Sequence, residues 1–476
     1  MAIRQGRLPG DRRVRAERVR PQSFRVGRGR AVRRRPRRPE VGLAIGFLVL
    51  IGIGTAVLML PIASTAGTWT HPFIALFTAT SAVCVTGLVV VDTATHWSPF
   101  GQVAILALIQ VGGLGFMTGS TLLLLLAVGR RTALSDRIVA QESAGARDLG
   151  SVRFVLRRVV LFTLIAEGIG AVMLTLAFLV DDRAAGQSVW FGLFHSISAF
   201  NNAGFDLMGD FRGLTAVASS PLVLLPIAAL IVLGGLGVAI VGDLVAKRDW
   251  ARLALETKLV VSMTLLLILG GMLAFLVFEW SNPKTLGALP EAQRPLNALF
   301  ESVSMRSAGM STIPIGALTG SSLIVAIALM FIGTAPGSTG GGIKLTTFSI
   351  LLATIVSTFM GRPHTAAFGR RVPEVVVYRA LSVALLSVAV VFGATLLLEL
   401  TSGGGDVLRL AFEVVSAYGT VGHSTGITPS LQDASLLLLT VMMFVGRLGP
   451  LTFFLALTRR ARPVPYRPAV ESIRIG

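Results

Sequence analysis

Four segments of the chain repeat one pattern, an apolar stretch led by an aromatic residue and closed by a glycine. They are FTATSAVCVTG ending at Gly87, FHSISAFNNAG at Gly204, FESVSMRSAG at Gly309 and FEVVSAYGTVG at Gly422. Successive glycines are 117, 105 and 113 residues apart, so the chain is built as about four copies of one unit. Four re-entrant segments placed around a common axis would enclose a pore.

The surroundings of the repeat are those of a polytopic membrane protein. Residues are 53% hydrophobic and 14% charged, and the mean hydropathy is +0.75, which leaves more apolar surface than a soluble fold can bury. Eight runs reach or approach the ~20 residues needed to cross a hydrocarbon core: 41–60, 99–128, 154–180, 217–246, 259–279, 319–360, 376–399 and 435–457. The fold class expected is therefore all-α and polytopic, with four pseudo-symmetric units of helix, re-entrant pore loop and helix around a central ion pore. Five histidines and the single Cys84, without CxxC or HxxxH spacing, supply neither a metal site nor a disulfide, and no covalent cofactor is expected.

Charge orients the chain. Of 43 Lys and Arg, 35 fall in 1–39, 130–158, 247–258, 362–379 and 459–474, while the intervening segments carry acidic residues such as Asp92, Asp206 and Asp406. The positive-inside rule puts both termini in the cytoplasm of a plasma (inner) membrane protein. The units are then 1–40, a basic and disordered head; 41–150, 151–255, 256–365 and 366–458, the four pore units; and 459–476, a cytoplasmic tail. The Arg- and Pro-rich head is expected on anionic lipid, at about 1 kcal/mol per Arg. Its arginines are not interleaved with stacking aromatics, so the formal charge of +19 does not indicate nucleic acid.

Between the two spans of each unit lies a short apolar piece, such as 71–83 or 190–200, that must enter and leave on one side. Its return strand carries Val85-Thr86-Gly87, Asn202-Ala203-Gly204, Ser307-Ala308-Gly309 and Thr420-Val421-Gly422. Small side chains and a glycine free to take positive φ let backbone carbonyls face a narrow axis and replace the water around a dehydrated monovalent cation. The half-helix aims its negative C-terminal end at the same place. Small-residue helix packing explains any one such glycine equally well, but it does not call for four re-entrant pieces.

These loops, GTAPGSTGGGIK after the third of them and VGRLGPLTF near the end together resemble the Trk/Ktr/HKT superfamily of potassium transporters over residues 41–458. The head leaves no room for the two extra N-terminal helices of Trk-type subunits, so the chain looks like the Ktr-type membrane subunit. That resemblance implies K⁺ uptake down the electrochemical gradient through a gated pore, with Na⁺ dependence as a variant. It also implies a homodimer standing on a cytoplasmic ring of nucleotide-binding regulatory subunits. Two other readings stand beside it: a Na⁺-permeable or H⁺/Na⁺-coupled transporter of the same superfamily, and, from another class, an integral-membrane enzyme. The enzyme lacks support, because Glu167 is nearly alone among carboxylates within the spans.

The run 319–360 is too long for one helix and is broken by Gly333, Pro336, Gly337, Gly340, Gly341 and Gly342. GSTGGGIKL is not a phosphate loop, since Ile343 precedes Lys344 and Leu345 stands where Ser or Thr is required. By resemblance, 333–344 is an intramembrane gate with Lys344 at its edge. The second spans align as Val111-Gly112-Gly113, Leu233-Gly234-Gly235, Ile332-Gly333-Thr334 and Val445-Gly446-Arg447, which puts Arg447 where two units have glycine. Arg447 is either paired with a carboxylate such as Glu413 or Glu301, or a charge in the cavity that limits flux; the second is favoured. Arg306 either braces its loop through Glu301 or tunes the third filter. Asp92 and Asp206 are candidates to concentrate cations at the mouth, and His423 departs from the apolar residue usual after the fourth glycine.

Overall fold

The computed structural model describes residues 39–129, 149–181 and 183–449; the head, the tail and the segment from Pro450 onward lie outside them. Each unit begins with a long apolar helix: α1 (Pro39–Met59), α5 (Leu149–Val180), α8 (Leu255–Glu279) and α12 (Glu374–Ser402). Then comes a short one: α2 (Pro72–Val83), which starts on a first-turn proline whose missing N–H costs nothing there. A one-turn helix α3 (Thr93–His96) leads into the second span α4 (Pro99–Gly129). The second unit follows as α5 (Leu149–Val180), α6 (Ala185–Asn201) and α7 (Pro221–Lys247). The third is α8 (Leu255–Glu279), α9 (Arg294–Ser304) and a second span split into α10 (Gly320–Phe331) and α11 (Leu345–Phe359). A two-residue hairpin, β1 (Ala366–Ala367) with β2 (Arg370–Arg371), leads to the fourth unit: α12 (Glu374–Ser402), α13 (Val407–Gly419) and α14 (Asp433–Leu448).

Among the described residues, six helices are long and apolar enough to cross a membrane. The eight expected runs resolve into these six, the interrupted α10/α11 pair, and α14, whose expected run continues beyond the described residues. One face of α8 leaves Leu266, Leu269 and Leu273 more than half exposed, an apolar strip at helical spacing that suits hydrocarbon and not water. The short helices α2, α6, α9 and α13 have 12, 17, 11 and 13 residues, each below the ~20 of a span.

Packing closes the units into a cycle. The first span of each unit lies on its own short helix, α1 on α2, α5 on α6, α8 on α9 and α12 on α13. Each second span also packs on the short helix of the next unit: α4 on α6, α7 on α9, α10 on α13, and α14 back on α2. The C-terminal ends of four short helices are thereby brought to one place, around which the buried Phe77, Phe194, Phe300 and Phe412 form part of the core.

Candidate functional site

The ring is built by the four repeated segments. Gly87, Gly204, Gly309 and Gly422 all have positive φ, between +70° and +98°. A Cβ on Gly87 would lie 2.5 Å from the carbonyl oxygen of Ala203, and one on Gly204 would lie 2.8 Å from that of Ala308. A Cβ on Gly309 would strike the carbonyl of Val421, and one on Gly422 that of Thr86, which completes the circle. Each glycine thus abuts the carbonyl that precedes the next unit's glycine, and no other residue type fits at any of the four places.

A serine in each of the four repeats, and in the last three also the residue after the Phe, hold this backbone, and neither role was read from the sequence. The serine four residues after the leading Phe anchors the return. Ser81 Oγ accepts from Gly87 N (3.0 Å) and Ser416 Oγ from Gly422 N (3.1 Å), while Ser198 and Ser304 donate to the carbonyls of Phe205 (2.7 Å) and Met310 (2.5 Å). The residue directly after the Phe pins the outgoing strand three residues past the glycine. Glu301 accepts from Thr312 N (2.6 Å), Glu413 from Thr425 N (2.8 Å) and His195 Nε2 from Leu207 N (3.4 Å). The signal was present as Phe-x-x-x-Ser in all four segments.

The side chains beside the ring include several unpaired oxygens. Thr86 Oγ1, Asn202 Oδ1, Ser307 Oγ and Thr420 Oγ1, one from each unit, are buried without a hydrogen-bond partner. Unsatisfied buried acceptors are rare in a finished fold, and here they cluster where the four backbones meet.

The break between α10 and α11 lies directly against these residues. Thr339 Oγ1 accepts from Asn202 Nδ2 (2.6 Å), and a Cβ on Gly340 would strike Ser307 Oγ, as one on Gly341 would strike Thr420 Oγ1. Three consecutive loop residues therefore touch the second, third and fourth return strands in turn. Gly337 packs on Gly237 of α7, and Gly342 takes φ +68° beside Gly419. Lys344 N-caps α11 and returns its Nζ to the Gly340 carbonyl at 2.6 Å, tying off the loop.

Arg447 closes the remaining side. It is fully buried, its Nη1 donates to the carbonyl of Thr339 in the loop, and its Nη2 reaches the carbonyl of Gly112 on α4 at 3.5 Å. Its guanidinium lies 4.4 Å from the centroid of the Phe116 ring, over which Lys344 Nζ also sits at 5.1 Å. Among the described residues it forms no ion pair. The carboxylate pairing is thus replaced by carbonyls and an aromatic face, because Glu301 and Glu413 are turned outward to their own strands. The same outward turn removes the Arg306–Glu301 brace.

On the outer strands, Asp92 is committed to structure: its Oδ1 caps α3 through Ala94 N (3.1 Å) and Thr95 N (2.9 Å), and its Oδ2 accepts from Phe211 N (2.9 Å). Asp206 accepts from Met208 N at 2.9 Å. Burial and then the nearby Asp92 charge push its carboxyl up, against the hydrogen bond from Met208, to about 6. His423 is buried with Nε2 3.1 Å from Ser304 Oγ, so it links the fourth strand to the third half-helix. Glu167 receives Asn201 Nδ2 (2.8 Å) and Gln110 Nε2 (2.9 Å) behind the second strand.

Residues 30–462 match the family TrkH, described as cation transport protein. The chain is 39% identical over 416 residues to Ktr system potassium uptake protein B of Bacillus subtilis, covering 87% of this chain and 92% of that protein. It is 37% identical over 439 residues to the potassium/sodium uptake protein NtpJ of Enterococcus hirae, covering 91% and 96%. Its fold matches the crystal structure of the potassium transporter TrkH from Vibrio parahaemolyticus with a TM-score of 0.67 at 19% identity, over 90% of this chain and 86% of that one. With the cyclic packing of four repeated units and this extent of likeness, the chain belongs to the TrkH family of cation transport proteins: a multi-pass membrane transporter, not an enzyme.

Proposed function

We propose that this protein takes up K⁺ through a pore whose selectivity filter is the ring at Val85-Thr86-Gly87, Asn202-Ala203-Gly204, Ser307-Ala308-Gly309 and Thr420-Val421-Gly422. The observation that carries the reading is the closed circle of glycines and carbonyls, with one unpaired buried oxygen from each unit beside it. Such a ring can replace the hydration shell of a monovalent cation, and the four helix C-termini add negative potential. Two relatives carry potassium uptake in their names, one with sodium beside it, which supports K⁺ as the main cargo and Na⁺ as an additional one. Driving force comes from the membrane potential, at about 2.3 kcal/mol per charge per 100 mV.

The loop of Gly337, Gly340, Gly341, Gly342 and Lys344, with Arg447 across it, acts as the gate. Regulation comes from a cytoplasmic nucleotide-binding subunit beneath a homodimer in the plasma membrane, with both termini in the cytoplasm and the basic head on anionic lipid. The word "system" in the names of Ktr relatives fits a transporter of more than one part. Purified protein in K⁺-loaded liposomes tests the reading by ⁸⁶Rb⁺ uptake against K⁺ or Na⁺. Uptake competed by K⁺ better than by Na⁺ is expected; equal competition would favour the Na⁺-permeable alternative, and no uptake by folded protein, with or without the regulatory subunit, would overturn the pore.

A further inference from the structure

The third repeated segment is one residue shorter than the other three. Ser81, Ser198 and Ser416 stand six residues before their ring glycines, whereas Ser304 stands five before Gly309. The missing residue changes how the half-helix ends. In the first, second and fourth units the helix stops on a left-handed residue, Val85 (φ +57°), Asn202 (φ +58°) or Thr420 (φ +48°). Its N–H reaches back to Ala82, Ala199 or Ala417, and the next N–H closes on the carbonyl of the anchoring serine at 2.7, 2.7 and 2.9 Å. These two reversed bonds around a left-handed residue lock the backbone. In the third unit none of Met305, Arg306, Ser307 and Ala308 takes positive φ. The N–H groups of Ser307 (3.1 Å), Ala308 (2.8 Å) and Gly309 (3.4 Å) instead share the one carbonyl of Ser304. The third return strand therefore lacks the lock that holds the others.

A side chain of the next unit takes its place. The residue after the ring glycine is Leu88, Phe205 and Met310 in the first three units and His423 in the fourth, and all four are buried. Of these side chains only the imidazole carries a hydrogen-bond donor. Its Nε2 lies 3.1 Å from Ser304 Oγ. The single hydroxyl proton of Ser304 is committed to the Met310 carbonyl at 2.5 Å, so the imidazole donates, which fixes its Nε2–H tautomer. The result is a relay from N–H to O–H to C=O in which each bond polarises the next. Ser198 makes the matching bond to Phe205 in the second unit, but there the strand already has its backbone lock.

We infer that His423 is a positioning residue for the third return strand: through Ser304 it holds the Met310 carbonyl, and with it the turn at Gly309, where the shorter segment forms no backbone lock. The third and fourth strands then grip each other at two levels. At the ring Gly309 abuts the carbonyl of Val421, and behind it the imidazole of the fourth strand holds the serine of the third. The consequence is for ion selectivity, and it rests on the reading of the ring as the filter. A strand free to shift lets its oxygens close on a smaller ion, so fixing the third strand penalises Na⁺ against K⁺.

Reversal potentials of the full chain in liposomes, with K⁺ and Na⁺ on opposite sides, test this. His423→Leu, which gives the fourth unit the residue the first has, should lower the K⁺/Na⁺ permeability ratio about fivefold, the equivalent of one neutral hydrogen bond. His423→Gln, whose amide can donate to Ser304, should recover most of that loss. An unchanged ratio in folded His423→Leu, or a Gln variant as poor as Leu, would overturn the assignment. Ser304→Ala should lower the ratio by itself and make His423→Leu silent in that background; two additive losses would mean that the residues act separately, and would also overturn it. A merely structural role would lower the melting temperature and leave the ratio alone. The relay is also read without ions moving, by ¹⁵N-histidine NMR of the wild-type chain in liposomes, with the His423 signal assigned by its loss in His423→Gln. The neutral Nε2–H tautomer is expected, and an Nδ1–H tautomer would overturn the relay whatever the protein transports. A wild type that does not discriminate K⁺ from Na⁺ while showing the Nε2–H tautomer would instead overturn the potassium reading, and the selectivity role with it.

Discussion

Arginine 447 and glycine 309 illustrate how little freedom single positions have in this site. A Cβ on Gly309 meets the Val421 carbonyl and must also sit at φ +70°, where a non-glycine residue costs of order 1–3 kcal/mol. Gly309→Ser is therefore expected to displace one carbonyl of the ring and lower the K⁺/Na⁺ permeability ratio by about tenfold, a loss equivalent to ~1.4 kcal/mol. Reversal potentials of the reconstituted variant measure this, and an unchanged ratio in folded protein would remove the glycine from the filter. Arg447 holds two carbonyls, one in the loop and one on α4, so Arg447→Ala frees the loop from the first unit. Basal ⁸⁶Rb⁺ flux should rise several-fold while the melting temperature falls only slightly. A fall in flux together with a large fall in melting temperature would mean that the arginine is a structural anchor.

At the scale of elements, the broken span is the part whose fit depends on having no side chains. Gly340 faces Ser307 Oγ and Thr334 Oγ1 where its own Cβ would be, and Gly341 faces Thr420. Loop and glycine ring are thus packed backbone against side chain, and the helix break puts those glycines within reach. Gly340→Ala should lever the loop away from the third strand. The expected result is a leak, a raised basal flux with K⁺/Na⁺ selectivity kept, since the added methyl meets the Ser307 side chain and not a carbonyl of the ring. Loss of selectivity alongside the leak would show that loop and ring form one element. The short helices show a similar economy: the serine of Phe-x-x-x-Ser turns each return strand, and in the last three units His195, Glu301 and Glu413 pin the outgoing end.

Across the molecule, the proposed pore has one mouth, shared by the four units. Asp206, with its carboxyl pushed up to about 6, is charged above that pH and neutral below it. On the proposed reading its carboxylate concentrates cations only when ionised, so uptake at limiting K⁺ should fall as external pH drops from 7 to 5, with a midpoint near 6. Asp206→Asn should give uptake that is lower at pH 7 and flat across this window. An unaltered pH profile in that variant would assign the titration to another group. Asp92, held as a cap and a staple between the outer loops of the first two units, is instead expected to act through stability.

Much of this architecture was legible along the chain because its causes are local. The period of the four glycines, the length of the apolar runs and the glycine-proline interruption at 333–342 are properties of neighbouring residues, and the short helices, the spans and the break appear where those properties put them. Contacts between units were not legible in this way. That Arg447 meets Thr339 and Gly112, 108 and 335 residues away, follows from the cyclic closure of α14 on α2, which no local pattern encodes. The expected pairings of Arg447 and Arg306 with glutamates failed for the same reason: Glu301 and Glu413 lie near them in sequence or in type, but satisfying the outgoing strands' backbone N–H groups turns those carboxylates away. The sequence by itself determined the units and their small-residue returns, through periodicity and the steric limits of each residue. Only the tertiary structure decided which buried charges meet and which stay unpaired, because that depends on chain segments separated by whole units arriving at one point.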